Sequence, residues 1–131
     1  MKRFVAIVAL LMLFLTAFAV RTPGAQRPEE GDSLQSVFLY TEALKALRIH
    51  RDTARGRELL NKSLEQDSTY APAYFALVTN DLGKTPQESR RWAEKAYQAD
   101  TTNIWYLRAY GQTLLQGESY KEALPVYKKL N

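Results

Sequence analysis

From Val37 onward, apolar residues recur at spacings of three and four, with polar residues between them. Val37, Tyr40, Leu44 and Leu47 fall on one stripe of a helix whose opposite face carries Gln35, Glu42, Lys45 and Arg48, the pattern of a helix that buries one side. Asp32 or Ser33 is the expected cap of this helix. Ile49, His50, Arg51 and Asp52 form a reversal, and Asp52 is suited to cap a second helix that buries Leu59, Leu60 and Leu64. A second pair follows. Pro72 sits in a first turn, where it costs no hydrogen bond, Tyr74, Leu77, Val78 and Leu82 supply the stripe, and Gly83 ends the helix. Thr85, Pro86, Gln87 and Glu88 then combine a capping threonine, a first-turn proline and a glutamate placed to reach back to the cap's amide. The helix they start turns Trp92, Ala93 and Ala96 inward. In the third pair Asn103 is the cap, Ile104, Leu107, Tyr110, Gly111 and Leu114 face inward, and Gly117 is the stop. Ser119 to Glu122 forms another capping box, ahead of Ala123, Leu124, Tyr127 and Leu130. Pro125 removes one backbone donor in that helix and predicts a bend without a break.

The start of the chain follows a different pattern. Lys2 and Arg3 precede an unbroken apolar run over residues 4–15, and Ala17, Phe18 and Ala19 make an A-x-A site, the three parts of a secretory signal peptide. Cleavage after Ala19 is expected. The alternative is an uncleaved membrane anchor over residues 4–20, where Thr16 is the only polar residue. Either reading exports the rest of the chain, to the periplasm or cell envelope, with inner-membrane anchoring as the alternative. Residues 20–33 hold Pro23, Gly24, Pro28 and Gly31 among charged residues and no large apolar group beyond Val20, so a flexible linker is expected before a helical domain over residues 34–131.

Within that domain the sequence repeats itself. Lys62, Asp67 and Thr69 return as Lys95, Asp100 and Thr102, 33 residues later, while Tyr40, Tyr74 and Leu107 align at spacings of 34 and 33. Gly56, Ser89 and Ala123 align as small residues in the second helices, where a small side chain lets two helices approach closely. In this layout the chain resembles the tetratricopeptide repeat family, over residues 37–70, 71–103 and an incomplete 104–131. Leu44 and Val78 stand where that pattern has glycine, Asp81 where it has an aromatic, and Ser68 and Thr101 where it has proline. The resemblance implies an all-α, right-handed solenoid of about three antiparallel hairpins, with the first helices lining a concave groove. The residues it places in that groove are Phe38, Thr41, Lys45 and Arg48 in the first hairpin, Phe75 and Thr79 in the second, and Trp105, Arg108 and Gln112 in the third. Apolar anchors with a few cations suit a protein or peptide partner carrying some acidic residues, with Trp105 and Arg108 as its hot spots. Some members of the family grip a terminal carboxylate; Thr41, Lys45, Ala76, Trp105 and Ala109 occupy the corresponding places, an incomplete clamp.

Composition narrows the function classes. The chain carries a net charge of +4, of which Lys2 and Arg3 belong to the leader, leaving 4 − 2 = +2 for the remainder, too small an excess for a nucleic-acid surface. Cysteine is absent and His50 is the sole histidine, so thiolate and imidazole metal sites and serine–histidine catalysis lack their raw material. Glu29, Glu30 and Asp32 read as solvating or capping groups. No cofactor, metal site or catalytic residue is expected. The function expected is an exported interaction scaffold. A targeting arm of a larger envelope enzyme or sensor is the rival, a small-ligand binder a third class, and self-association through an uncapped C-terminal end a further partner expectation.

Overall fold

A computed structural model describes residues 30–130 as six α-helices, α1 Glu30–Arg48, α2 Thr53–Gln66, α3 Ala71–Thr79, α4 Pro86–Ala99, α5 Ile104–Gln116 and α6 Tyr120–Lys128. The signal or anchor segment and linker residues 20–29 lie outside the described residues. Among the described helices none is long and apolar enough to cross a membrane. Helices adjacent in sequence pack as neighbours throughout, and α3 also touches α5, which places the first helices of the second and third pairs side by side.

The two helices of the first pair meet through small residues. Ser36, Ala43 and Ala46 on α1 and Gly56, Leu59, Leu60 and Ser63 on α2 are all buried. The Ser36 hydroxyl donates to the Ser63 carbonyl at 2.9 Å and the Ser63 hydroxyl to the Ser36 carbonyl at 2.8 Å. Two buried hydroxyls are thereby satisfied, as burial requires, and they tie the helices together at short range. An apolar core continues through Ala73, Ala76, Leu77 and Leu82, and a second cluster joins Leu107, Leu114, Ala123 and Val126.

This packing corrects several expectations. Val37, Ile104 and Leu124, assigned to the buried stripes, are 40%, 49% and 59% exposed. Ala43, Ala73, Ala93, Ala96, Ala123 and the Ser36–Ser63 pair share the innermost positions with Leu60, Leu77 and Leu114, and Val37, Ile104 and Leu124 lie on the flanks of their helices. Helix α1 opens at Glu30, so Asp32 and Ser33 lie inside its first turn, where Gly31 is no obstacle because those N–H groups have no intrahelical partner. Helix α6 continues across Pro125.

Caps follow the sequence more closely. Asp52 accepts from the Arg55 amide at 2.9 Å, Thr85 from Glu88 at 3.1 Å, and Asn103 from Trp105 at 3.0 Å. The glutamates of the two expected boxes act differently. Glu88 accepts from the amide of Lys84, one residue before the cap, at 2.7 Å, and from Arg57 at 3.0 Å. Ser119 makes no capping bond; its hydroxyl and the Glu122 carboxylate both receive Arg90. Arg57 reaches from α2 to the start of α4, and Arg90 from α4 to the start of α6. The donors are 33 residues apart and the acceptors 34. Hairpin is therefore clasped to hairpin at a repeating register. The Lys84 amide and then the Arg57 guanidinium hold the Glu88 carboxyl below the usual glutamate range, against the opposing effect of burial. At the first position of this series Arg55 stands where Glu88 and Glu122 stand in the later pairs, at the third residue after the cap.

Gly83 does not end α3. The chain leaves that helix through Asp81 at φ 52°, with the Leu82 amide bonding the Leu77 carbonyl at 3.0 Å and the Asp81 amide the Val78 carbonyl at 3.1 Å. This is a Schellman motif with an aspartate in the left-handed position that glycine most often fills. Leu82 and Leu77 are both buried and close it. Glycine at position 83 makes room of a different kind: an added Cβ would lie 2.1 Å from the Ser89 hydroxyl, which would have to rotate away.

Candidate functional site

The nine groove residues inferred from the sequence do not form one continuous site. Phe38 and Lys45 border a cleft of about 380 Å³ together with Leu39, His50, Arg55 and Leu59. Thr79 and Gln112 border a separate cleft of about 370 Å³, between the end of α3, the start of α4 and the last turns of α5. Thr41, Arg48, Phe75, Trp105 and Arg108 line neither.

Local geometry explains how each is held. The hydroxyls of Thr41 and Thr79 each turn back on their own helix, donating to the carbonyls of Val37 and Phe75 at 2.9 Å, so they offer acceptor lone pairs more readily than donors. Lys45 is paired with Glu42 at 2.5 Å, which removes it as an uncommitted cation. Arg48 is exposed. Trp105 is 61% exposed, and the Arg108 guanidinium lies 5.3 Å from its ring centre, so the two form one preassembled cation–π unit at the surface of α5. Gln112 follows Arg108 by four residues and therefore stands one turn further along the same face.

The two clefts are related by register. Phe38, Leu39, Lys45 and Ala46 on α1 correspond, at an offset of 67, to Trp105, Tyr106, Gln112 and Thr113 on α5. On α5 this face meets α3: Phe75 packs on Tyr106 with ring centres 5.1 Å apart, and Gln112 and Thr113 border the α3–α5 cleft. On α1 the same face, including Phe38 at 58% exposure, has no hairpin against it among the described residues.

Sequence reasoning missed three contributors. Tyr70, just before α3, packs edge-on against Tyr40 with centroids 5.5 Å apart, and Tyr106 completes an aromatic path along α1, α3 and α5 with Phe75. Burial pushes the Tyr70 and Tyr106 phenols up, with nearby Tyr40 adding to it; both remain neutral hydrogen-bonding groups at neutral pH. The third is Asp81, which borders the α3–α5 cleft. The signal for it was its register: Asp81 stands 34 residues after Leu47 and 33 before Leu114, where both neighbours supply core leucines. An acid there marks the place where the second hairpin departs from the other two.

Among the described residues no cluster of three or more histidine, cysteine or acidic side chains is placed to hold a metal ion. His50 sits in the exposed turn after α1. Compared with protein-family models and with curated proteins, the chain matches none.

Proposed function

We propose that the protein is an exported tetratricopeptide-like scaffold, without catalysis of its own, that holds a peptide segment of a partner protein across the face formed by α1, α3 and α5. The observation that carries this reading is the open cleft between α3 and α5, which is bordered by Thr79 and Gln112 and lies beside the Phe75–Tyr106 and Trp105–Arg108 pairs. Supporting it is the repeating arginine-to-glutamate clasp between second helices, which keeps the opposite side of the domain occupied with its own contacts. A preassembled tryptophan–arginine pair is the kind of rigid anchor that dominates binding energy at interfaces.

The test is selection of binders from a phage library of random peptides on the purified full chain, followed by affinity measurement on a Trp105→Ala, Arg108→Ala double variant. Loss of the pair is expected to weaken selected peptides about thirtyfold, about 2 kcal/mol. Both side chains are exposed, so the variant retains its fold by circular dichroism. Peptides that bind the double variant as well as the parent would place the site elsewhere.

A further inference from the structure

The α3–α5 cleft owes its existence to a missing turn. Helix α3 spans 9 residues and stops at Thr79, whereas α5 spans 13 and runs on to Gln116. In register Gln116 corresponds to Gly83, which lies in the loop after α3. The last turns of α5 therefore face a loop instead of a helix, and the space between is the cleft of about 370 Å³. That volume lies at the low end of the roughly 300–1,000 Å³ typical of ligand pockets, enough for one side chain rather than a whole segment.

The chemistry of the cleft is one-sided. Asp81 is its only charged residue, with Gln112, Gln116, Thr79, Thr113 and Ser89 supplying polar groups. The hydroxyls of Thr79 and Thr113 are spent on carbonyls of their own helices. No ion pair or side-chain hydrogen bond engages Asp81, Gln112 or Gln116 among the described residues. The acids Glu42, Glu58, Glu88 and Glu122, by contrast, all have a cation within reach. Two arginines of the second helices are committed elsewhere: Arg57 to Glu88 and the Leu82 carbonyl, Arg90 to Glu122 and Ser119. Asp81 also follows the C-terminal end of α3, where the helix dipole adds negative potential. An exposed carboxylate, two carboxamides whose oxygens can accept, and a helix C-terminus make a cleft lining with negative charge and no cation.

We propose that this cleft is the subsite for a single cationic side chain, arginine or lysine, of the bound peptide, with Asp81 as its counter-charge and Gln112 and Gln116 as hydrogen-bond acceptors. This rests on the reading of α1, α3 and α5 as a peptide-binding face. It alters the expected partner from an acidic peptide to one of mixed charge, with a cation at the α3–α5 cleft and any acidic residue directed to Arg108, one turn earlier on α5.

The experiment pairs Asp81→Asn with the peptides selected from the random library. Asparagine tolerates the left-handed backbone at this position well, so the variant keeps its fold while losing the charge. Selected peptides are expected to share an arginine or lysine. Replacing that residue with glutamine should weaken binding to the parent about tenfold, and Asp81→Asn should weaken the unaltered peptide by a similar factor. The two changes together should cost little more than either alone, because they remove the same contact. Peptides that lose affinity on the Trp105→Ala, Arg108→Ala variant but bind Asp81→Asn unchanged would overturn this subsite and leave the groove standing. Failure to select any peptide would overturn both.

Discussion

Leu77→Ala is expected to lower the unfolding free energy by about 3 kcal/mol, within the range of about 2–5 kcal/mol measured for buried leucine truncations. Leu77 is fully buried, at 0% exposure, and sits where three structural features meet. It belongs to the core that joins the first and second helix pairs, its carbonyl accepts the Leu82 amide that closes the Schellman motif, and its side chain lies in the same cluster as Leu82. Alanine keeps the backbone bond but empties the space beneath it, and neighbours already as small as Ala43, Ala73 and Ala76 leave few side chains able to collapse into the cavity. A domain of this size has a stability of only about 5–15 kcal/mol, so the loss is a large fraction of the total. Urea titration followed by circular dichroism measures it. A change under 1 kcal/mol would show that the first two pairs do not share a core.

The second large effect runs against helix propensity. Gly56 lies inside α2, where alanine would ordinarily stabilise by about 0.8–1 kcal/mol. Here a Cβ would meet Cγ and Cδ2 of Leu47 at 2.4 Å, a separation real contacts do not tolerate. The Cγ atom cannot swing away without moving the whole leucine, and Leu47 packs against the core beside α2. Gly56→Ala is therefore expected to destabilise by about 2 kcal/mol, the usual size of an overpacking penalty. Gly117→Ala is the matched control. The nearest atom to its added Cβ is the Thr113 carbonyl oxygen at 3.4 Å, and its φ of −88° suits any residue. A stabilised Gly56→Ala variant, by the same urea titration, would mean that α1 and α2 stand further apart than described.

How much of this was legible in the sequence depends on which interaction decided each point. Three of the six helix starts were readable because they are marked by side chains that bond locally: Asp52, Thr85 and Asn103 all cap where their positions in the sequence indicate. The small residue Gly56 also declared itself through its alignment with Ser89 and Ala123. Burial was less readable, since Ser36 and Ser63 are hidden at 0% exposure by bonding each other, and no hydrophobic periodicity registers a serine as core. The role of Glu122 was hidden for a related reason. Its partner Arg90 lies 32 residues away, and a capping-box pattern carries no information about a distant arginine that competes for the same oxygens. In the candidate site, Trp105 and Arg108 were singled out because the repeat register puts an aromatic and a cation one turn apart on one helix. Asp81 was not, because the cleft it borders is created by the difference in length between α3 and α5, a property of two elements together. The glycine two residues later drew attention as the helix stop, while the left-handed residue was the aspartate itself.

The most direct test of the binding account is to map a library-selected peptide onto the ¹⁵N-labelled chain by amide chemical-shift changes. The account predicts perturbations on α3 and α5, centred on the Trp105, Arg108 and Gln112 amides, the loop carrying Asp81 and the first turn of α4 at Ser89, with α2, α6 and the rest of α4 little affected. Perturbations concentrated on the second helices, with α3 and α5 unmoved, would contradict it.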